Sequence, residues 1–224
     1  CGIISCVLAW FYMVNIAALV LGIVEMVPQS IKKWITVSDE VLDLAGEAFL
    51  QYIYSELTYQ IAKKCADELI GIIKNLPTTA TTTSVNAPVL QTGVGVGTVA
   101  QAIGLLSDEA SNPAIVMNKA TWSAFKAAQY ANGYGVDPFE GLDVKFNNTL
   151  PSFDAAGVGD VYMIVGDFAQ GAIANFPEGE GVKFVFDDKT LATSDLVRVI
   201  GKEYVAVGPV ANKAFTLVAK PATV

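Results

Sequence analysis

The chain has 224 residues, enough to bury a sizeable core in one large or two small domains. A net charge of −8 with no basic run argues against a dedicated nucleic-acid binder, whose affinity would rest on Lys and Arg. The sequence contains no histidine, which removes His-based triads, His general bases and most zinc or non-haem iron sites.

Apolar residues are in excess. Hydrophobic residues make up 53% of the chain and charged residues 16%, where a soluble protein averages roughly 25% charged residues. The mean hydropathy is +0.46. A membrane or extensive contact with other subunits would absorb the apolar surface that is left over.

Residues 1–24 carry no charged side chain, and Glu25 is the first charged residue. About 20 apolar residues suffice to cross a bilayer, so one interpretation is a single membrane span joined to an α+β domain. No Lys or Arg precedes the run and no small-residue cleavage site follows it, so a signal peptide is not indicated. Because the chain begins with Cys1 instead of Met, the other interpretation is a processed or trimmed product whose first segment buries itself on a neighbouring subunit.

The chain is organised around a helix predicted over residues 38–74, which follows a short strand predicted over residues 31–37. Apolar residues recur every four positions along the helix at Phe49, Ile53, Leu57, Ile61, Cys65, Leu69 and Ile73. The same stripe is predicted to be widened by Ala45, Ala48, Tyr52, Ala62, Ala66 and Ile70. Ser38 is the expected N-cap and Pro77 forbids continuation, so the helix would span on the order of 50 Å. The polar stretch at residues 78–84 is then expected to be a mobile loop at a domain boundary.

Three glycines, Gly93, Gly95 and Gly97, precede an apolar helix within residues 89–106. Gly95, Gly97 and Ala100 formally satisfy the relaxed dinucleotide-binding fingerprint, which is one route to a nucleotide-binding enzyme. The fingerprint also requires a second parallel strand followed by an acidic residue for the ribose, and Asn118 stands in that place. The alternative is a flexible glycine hinge before a helix.

The second half of the chain is predicted to be mostly strands. A strand over residues 114–117 precedes a helix over residues 120–130 that carries Trp122, Phe125 and Ala128 on one face. Further strands are predicted over residues 142–146, 161–165, 172–176, 182–186, 203–207 and 214–218, with a short helical or irregular segment over residues 194–199. A helix first and mostly antiparallel strands later indicate the α+β class.

The acidic residues do not predict a catalytic centre. Asp187, Asp188 and Asp195 form the densest carboxylate group, but nothing else converges on them and a solvated turn explains them. Asp167 ends a strand, where it is either catalytic or closes a turn by capping a backbone amide.

The remaining nucleophiles and cations have structural explanations. Ser5 and Ser38 lack a histidine base, and Lys63 and Lys64 are predicted to lie on the polar face of the long helix. The cysteines form no CxxC pair, which indicates a reducing compartment, and Cys65 is predicted to be a small core residue. We therefore predict a protein that is not an enzyme, with no catalytic residue, no metal site and no cofactor.

Five motifs follow one another between residues 31 and 221. They are WITVSDEVLDLAGEAFLQYIYSELTYQIAKKCADELI (34–70), NPAIVMNKATWSAFKAA (112–128), GLDVKFNN (141–148), YMIVGDFAQGAIANF (162–176) and FTLVAK (215–220). In this order they resemble the major capsid proteins of tailed bacteriophages with the Hong Kong 97-like fold, which encapsulins share.

The resemblance implies a division of the chain. Residues 1–33 would be an N-terminal arm with a shortened or incomplete extended hairpin, the E-loop. Residues 34–80 and 182–224 would form the peripheral P-domain, in which a spine helix over about residues 38–75 packs on an extended antiparallel sheet. Residues 85–181 would form a mixed α/β axial A-domain.

The resemblance also implies a function. The protein would assemble with itself into hexamers and pentamers of an icosahedral head shell that encloses double-stranded DNA without sequence specificity. Its other expected partners are scaffold, maturation protease, portal and decoration proteins, whereas a membrane partner is not expected. It would be assembled in the cytoplasm of a bacterial host and reside in the virion. An encapsulin-type compartment shell is the alternative.

Overall fold

A computed structural model describes residues 26–79, 85–133, 135–177, 179, 181–190 and 194–222, with only the backbone described at residues 42–45. The segment over residues 1–24, with Ser5 and two of the cysteines, and most of the predicted loop at residues 78–84 lie outside these ranges. The helices are α1 (Asp39–Lys74), α2 (Thr98–Ile103), α3 (Lys119–Asn132) and α4 (Phe168–Gly171). The strands are β1 (Gln29–Ser38), β2 (Val89–Gln91), β3 (Ala114–Met117), β4 (Val144–Phe146), β5 (Val161–Gly166), β6 (Ala172–Asn175), β7 (Lys183–Asp187), β8 (Leu196–Pro209) and β9 (Phe215–Ala219).

The strands form two sheets. In the first, β8 pairs antiparallel with β1 on one side and with β7 and β6, one after the other, on the opposite side. The second sheet has the order β2-β9-β5-β3-β4, in which β5 runs antiparallel to β9 and β3 while the pairs β2/β9 and β3/β4 are parallel. The predicted α+β class is confirmed.

Helix α1 lies along the first sheet, as predicted. Ile53 and Leu57 pack against Val199 of β8, and Ile61 packs against β1 and a later part of β8. At Gly201 of β8 an added Cβ would stand 3.0 Å from Cδ1 of Ile61 and 3.5 Å from Cβ of Leu57. Glycine there lets the helix approach the strand closely, because it places no side chain between them.

The last turns of α1 reach the second sheet. Ile70 and Ile73 belong to one buried cluster with Val116, Ile164 and Phe215 from the strands β3, β5 and β9. The opposite face of the second sheet is covered by α2 and α3, whose buried residues pack on the same strands. One helix therefore contributes to the cores of both sheets.

The buried stripe of α1 is narrower than predicted. The seven residues at four-residue spacing and Ile70 are buried or half-buried, but Ala48, Tyr52, Ala62 and Ala66 are exposed. The prediction that these four widen the stripe was wrong. At each level along α1 the helix contacts a single sheet and so buries a single row, and alanine is common on exposed helix faces because it favours the helix itself.

The continuity of α1 is also less than predicted. Gly46 has φ +66° and ψ −172°, a conformation essentially restricted to glycine, so two helical segments meet there. Ser38 occupies the N-cap position, but its side chain accepts no hydrogen bond from the first turn. At the other end the Asn75 side chain donates to the carbonyl oxygen of Gly71 at 2.9 Å and so closes the helix before Pro77.

One further local prediction was wrong for most of its length. The segment predicted as helical or irregular over residues 194–199 is so only at Ser194 and Asp195, because β8 begins at Leu196 and includes the strand predicted over residues 203–207. Ten residues of β1 pair continuously with β8, and this non-local pairing outweighs the turn propensity of the first residues of β8. On the predicted face of α3, Phe125 is buried, Ala128 is half-buried and Trp122 is 36% exposed, with a T-shaped contact to Phe146 at 6.3 Å between the ring centroids.

In the part of the chain that the structure describes, none of the helices combines the length and apolar character needed to cross a bilayer.

Candidate functional site

The glycine loop before α2 is closed by its own hydrogen bonds. The hydroxyl of Thr98 donates to the carbonyl oxygen of Gly93 at 2.9 Å, and the amide of Thr98 donates to the carbonyl oxygen of Gly95 at 3.2 Å. Strand β2 lies beside β9, and β9 and β5 separate it from β3. A dinucleotide site requires the helix to lead into a neighbouring parallel strand. The loop therefore lacks the topology of the nucleotide-binding unit.

The predicted carboxylate group forms a turn. Asp187 accepts hydrogen bonds from the amides of Thr190 at 3.1 Å and Lys189 at 3.3 Å. Hydrogen bonds from Thr190 hold the pKa of Asp187 below its ordinary value. Among the described residues there is no group of three or more His, Cys, Asp or Glu side chains able to hold a metal ion.

Asp167 is buried and caps a short helix. Its Oδ1 accepts from the amides of Ala169 at 3.0 Å and Gln170 at 3.2 Å, and its Oδ2 accepts from the amide of Asn112 at 3.1 Å. Burial favours the neutral acid, but these backbone hydrogen bonds outweigh it and lower the pKa of Asp167 below its ordinary value. The carboxylate therefore fixes the junction between β5, α4 and the loop before β3.

Cys65 lies half-buried in an apolar cleft of about 440 Å³ beside α1. Ile61, Phe176, Val182 and Glu203 also line this cleft. Burial, followed by the nearby charge of Glu203, raises the pKa of the thiol. Since the thiolate is the nucleophile, Cys65 is a poor reactive group and a reasonable packing residue.

A wider cleft of about 850 Å³ lies between α1 and the loop after β4. The side-chain amide of Asn147 donates to Oδ1 of Asp67 at 2.8 Å, so the two walls are joined at one point. Lys63 and Lys119 also line the cleft, and Nζ of Lys119 lies 5.6 Å from the ring centroid of Phe146. The cleft therefore brings together two lysine ammonium groups, side-chain amides and the Asp67 carboxylate, which is already hydrogen-bonded to Asn147.

The most pronounced surface feature is exposed apolar side chains. Trp34 on β1 and Tyr52 and Tyr59 on α1 are 61%, 63% and 62% exposed. The composition predicts surplus apolar surface but does not single out Trp34. The signal was present, because alternation along β1 places Trp34 on the face opposite the buried Ile31. Large exposed aromatic residues on both sides of the first sheet and its helix mark surfaces suited to protein contact.

Comparison with known proteins agrees with the geometry. Residues 16–219 match the family model described as the phage capsid family. No curated protein matches the sequence.

Solved structures share the fold at low sequence identity. The capsid of the empty GTA particle superposes with a TM-score of 0.68 at 15% identity, covering 88% of this chain and 73% of that one. A chain of Mycobacterium phage Cain gives a TM-score of 0.55 at 18% identity, covering 89% and 74%. The encapsulin SrpI of Synechococcus elongatus PCC 7942 gives 0.57 at 13% identity, covering 88% and 77%. The predicted Hong Kong 97-like capsid fold is confirmed.

Proposed function

The chain belongs to the phage capsid family, and we propose that it is the major capsid protein of a tailed phage. In this proposal it assembles with itself into hexamers and pentamers that form an icosahedral head shell around double-stranded DNA. The observation that carries the proposal is the family match over residues 16–219, together with a capsid fold over 88% of the chain. Exposed aromatic residues on β1 and α1 support it, because a shell subunit must bury surface on several neighbours.

The proposed role is structural instead of enzymatic. The net charge of −8 supports weak contact with the genome, because an acidic chain encloses DNA without binding its phosphates tightly. Scaffold, maturation protease, portal and decoration proteins are the further partners that such a shell would meet. The protein would reside in the virion after assembly in the cytoplasm of a bacterial host.

The proposed division keeps residues 1–33 as an arm with a reduced E-loop, residues 34–80 and 182–224 as the peripheral domain and residues 85–181 as the axial domain. Packing of α1 on β1 and β8 supports the peripheral unit. Strand pairing favours two changes. Phe215–Ala219 pairs with β2 and β5 and is counted with the axial sheet, and Ala172–Asn175 pairs with β8 and is counted with the peripheral sheet.

An encapsulin-type compartment shell is the second candidate. Its support is the similarity to the SrpI encapsulin, which covers 77% of that chain at a TM-score of 0.57. Gene neighbours separate the two candidates. Portal, terminase and protease genes accompany a phage capsid gene, whereas a gene for a cargo protein accompanies an encapsulin.

Electron microscopy of the purified protein tests the proposed assembly. We expect closed shells whose surface resolves into hexamers and pentamers. Leu57→Asp is a suitable control, because it places a charge in the buried contact between α1 and β8 and should abolish shells by preventing folding. Small monodisperse species from the wild-type protein under all assembly conditions would contradict the proposal.

A further inference from the structure

The first sheet has a face that points away from α1. Val199 and Gly201 of β8 meet α1, so the alternation of a strand directs Arg198, Ile200 and Lys202 to the opposite face. Residues directly opposite each other on neighbouring strands point to the same face of the sheet. The cross-strand partners of these three residues therefore lie on this face too. In the antiparallel register Lys202 is opposite Lys32 of β1 and also opposite Lys183 of β7. Three lysines therefore form a row across three strands.

We call this surface the basic sheet face and define it by Lys32, Lys183, Lys202 and Arg198. Arg198 stands on the same face, opposite Asp187 of β7. These four residues are among only 14 Lys and Arg residues in a chain of net charge −8. The basic sheet face is thus rich in positive charge although the net charge of the protein is negative.

Folding alone does not account for the lysine row. Neighbouring strands lie about 4.8 Å apart, and like charges directly opposite each other are destabilising. Lysine on an edge strand discourages unwanted strand pairing, which explains Lys32. It does not explain Lys202, because β8 is paired on both sides. Nζ of Lys202 lies 4.2 Å from the ring centroid of Tyr204, a contact that leaves the positive charge of Lys202 in place.

An apolar row runs beside the lysines. Ile200 is opposite Trp34 on one side and Val185 on the other, and these two side chains are 61% and 53% exposed. An aromatic and aliphatic centre with charges at its border is typical of a protein interface. A dedicated nucleic-acid surface would be expected to carry more cations in a less acidic chain.

The same chain carries a complementary patch. Asp39 and Glu40 lie exposed in the first turn of α1, and Val41 beside them is 43% exposed. The acidic turn follows directly on β1, beyond the end of the basic sheet face at Arg198. A contact between two different patches of identical chains closes reciprocally about a two-fold axis or, when it is heterologous, extends into rings or larger assemblies, as a shell requires.

We propose that the basic sheet face of one subunit docks on the acidic turn, Asp39 to Val41, of a second copy. The inference rests on the proposed shell function and adds the contact that would hold neighbouring subunits. Trp34 and Val185 meet Val41, while the lysine row meets the two carboxylates. The charges at the border then set orientation and the rate of encounter.

Charge reversal tests the contact in the full chain. K32E/K202E and D39K/E40K should each raise the critical concentration for shell assembly by roughly tenfold or more, the equivalent of about 1.4 kcal/mol. The quadruple variant K32E/K202E/D39K/E40K restores opposite charges and should assemble near the wild-type concentration. A matched control, K63E/K213E, changes the net charge equally at exposed lysines outside both patches and should assemble like the wild type. Thermal melts of the unassembled subunits verify that each variant folds.

Four outcomes would overturn the inference. If the wild type and K32E/K202E formed shells at the same critical concentration, the proposed contact would be refuted and the proposed function would be unaffected. Loss of assembly in K32E/K202E without recovery in the quadruple variant would mean that the acidic turn is not the partner. Unchanged assembly with loss of salt-dependent binding to a DNA duplex in K32E/K202E would assign the basic sheet face to nucleic acid. A wild-type protein that forms no shells would contradict the proposed function itself, and this inference with it.

Discussion

Leu57→Ala tests how α1 is seated on the first sheet. Leu57 is 1% exposed and packs in one cluster with Ile53 and Val199, which are 2% and 0% exposed. Its Cβ lies 3.5 Å from where a Cβ on Gly201 would stand, so the side chain fills the space directly above the strand. Truncation would leave a void at the centre of the helix-to-sheet contact.

The expected loss of unfolding free energy is about 3 to 4 kcal/mol. Removing three carbons forfeits roughly 2.4 kcal/mol of transfer free energy at about 0.8 kcal/mol each, and a cavity that stays open adds to this. Collapse of the cavity is hindered because β8 is held between β1 on one side and β7 on the other. Such a loss is a large share of the roughly 5 to 15 kcal/mol that stabilises a typical domain.

Urea unfolding of the unassembled subunit, followed by tryptophan fluorescence, measures the effect. With an m-value near 2 kcal/mol/M the midpoint should fall by about 1.5 to 2 M with an unchanged slope. Tyr59→Ala is the matched control on the same helix, because Tyr59 is 62% exposed and its truncation should change stability by less than about 0.5 kcal/mol. A loss below about 1 kcal/mol for Leu57→Ala, or equal losses for both variants, would refute the packing described for α1.

Three further predictions concern glycine, pH and a surface ion pair. Gly166→Ala should prevent folding, since its Cβ would overlap the backbone at the start of β9, whereas Gly71→Ala meets nothing within 4 Å and should raise Tm by favouring the helix. Because the folded-state pKa of Asp167 is lowered, its stabilisation is complete above the ordinary carboxyl pKa of about 3.9 and is lost as pH falls through the folded-state pKa. Asp167→Asn should therefore lower Tm clearly at pH 7 and much less at acid pH. An equal loss of Tm at every pH in a series of thermal melts would contradict this. Lys64→Glu breaks an exposed pair with Glu68 at 2.8 Å and should leave the subunit folded, with a loss of less than about 1 kcal/mol by thermal melt.

Part of the contact surfaces can be predicted from the local sequence, and the rest follows only from the tertiary structure. Alternation along β1 is enough to place Lys32 and Trp34 on the outer face of a strand. It does not reveal that Lys202, far away in the chain, stands beside Lys32, because that requires the register between β1 and β8. Asp167 was likewise recognisable as a turn or cap candidate, but its bond to the distant Asn112 amide depends on the fold.

Spacing and motif order within the sequence are enough to predict a helix over α1 apart from its break at Gly46, the buried row from Phe49 to Ile73, most strand positions and the capsid family. These features depend on spacing within one segment, which hydrophobic periodicity reports directly. Only the tertiary structure decided that β9 enters the second sheet between β2 and β5, that β8 is a single long strand and that Tyr52 and Ala62 remain outside the core. Strand pairing and the width of a buried stripe depend on which distant segment lies alongside, and residues adjacent in sequence do not carry that information.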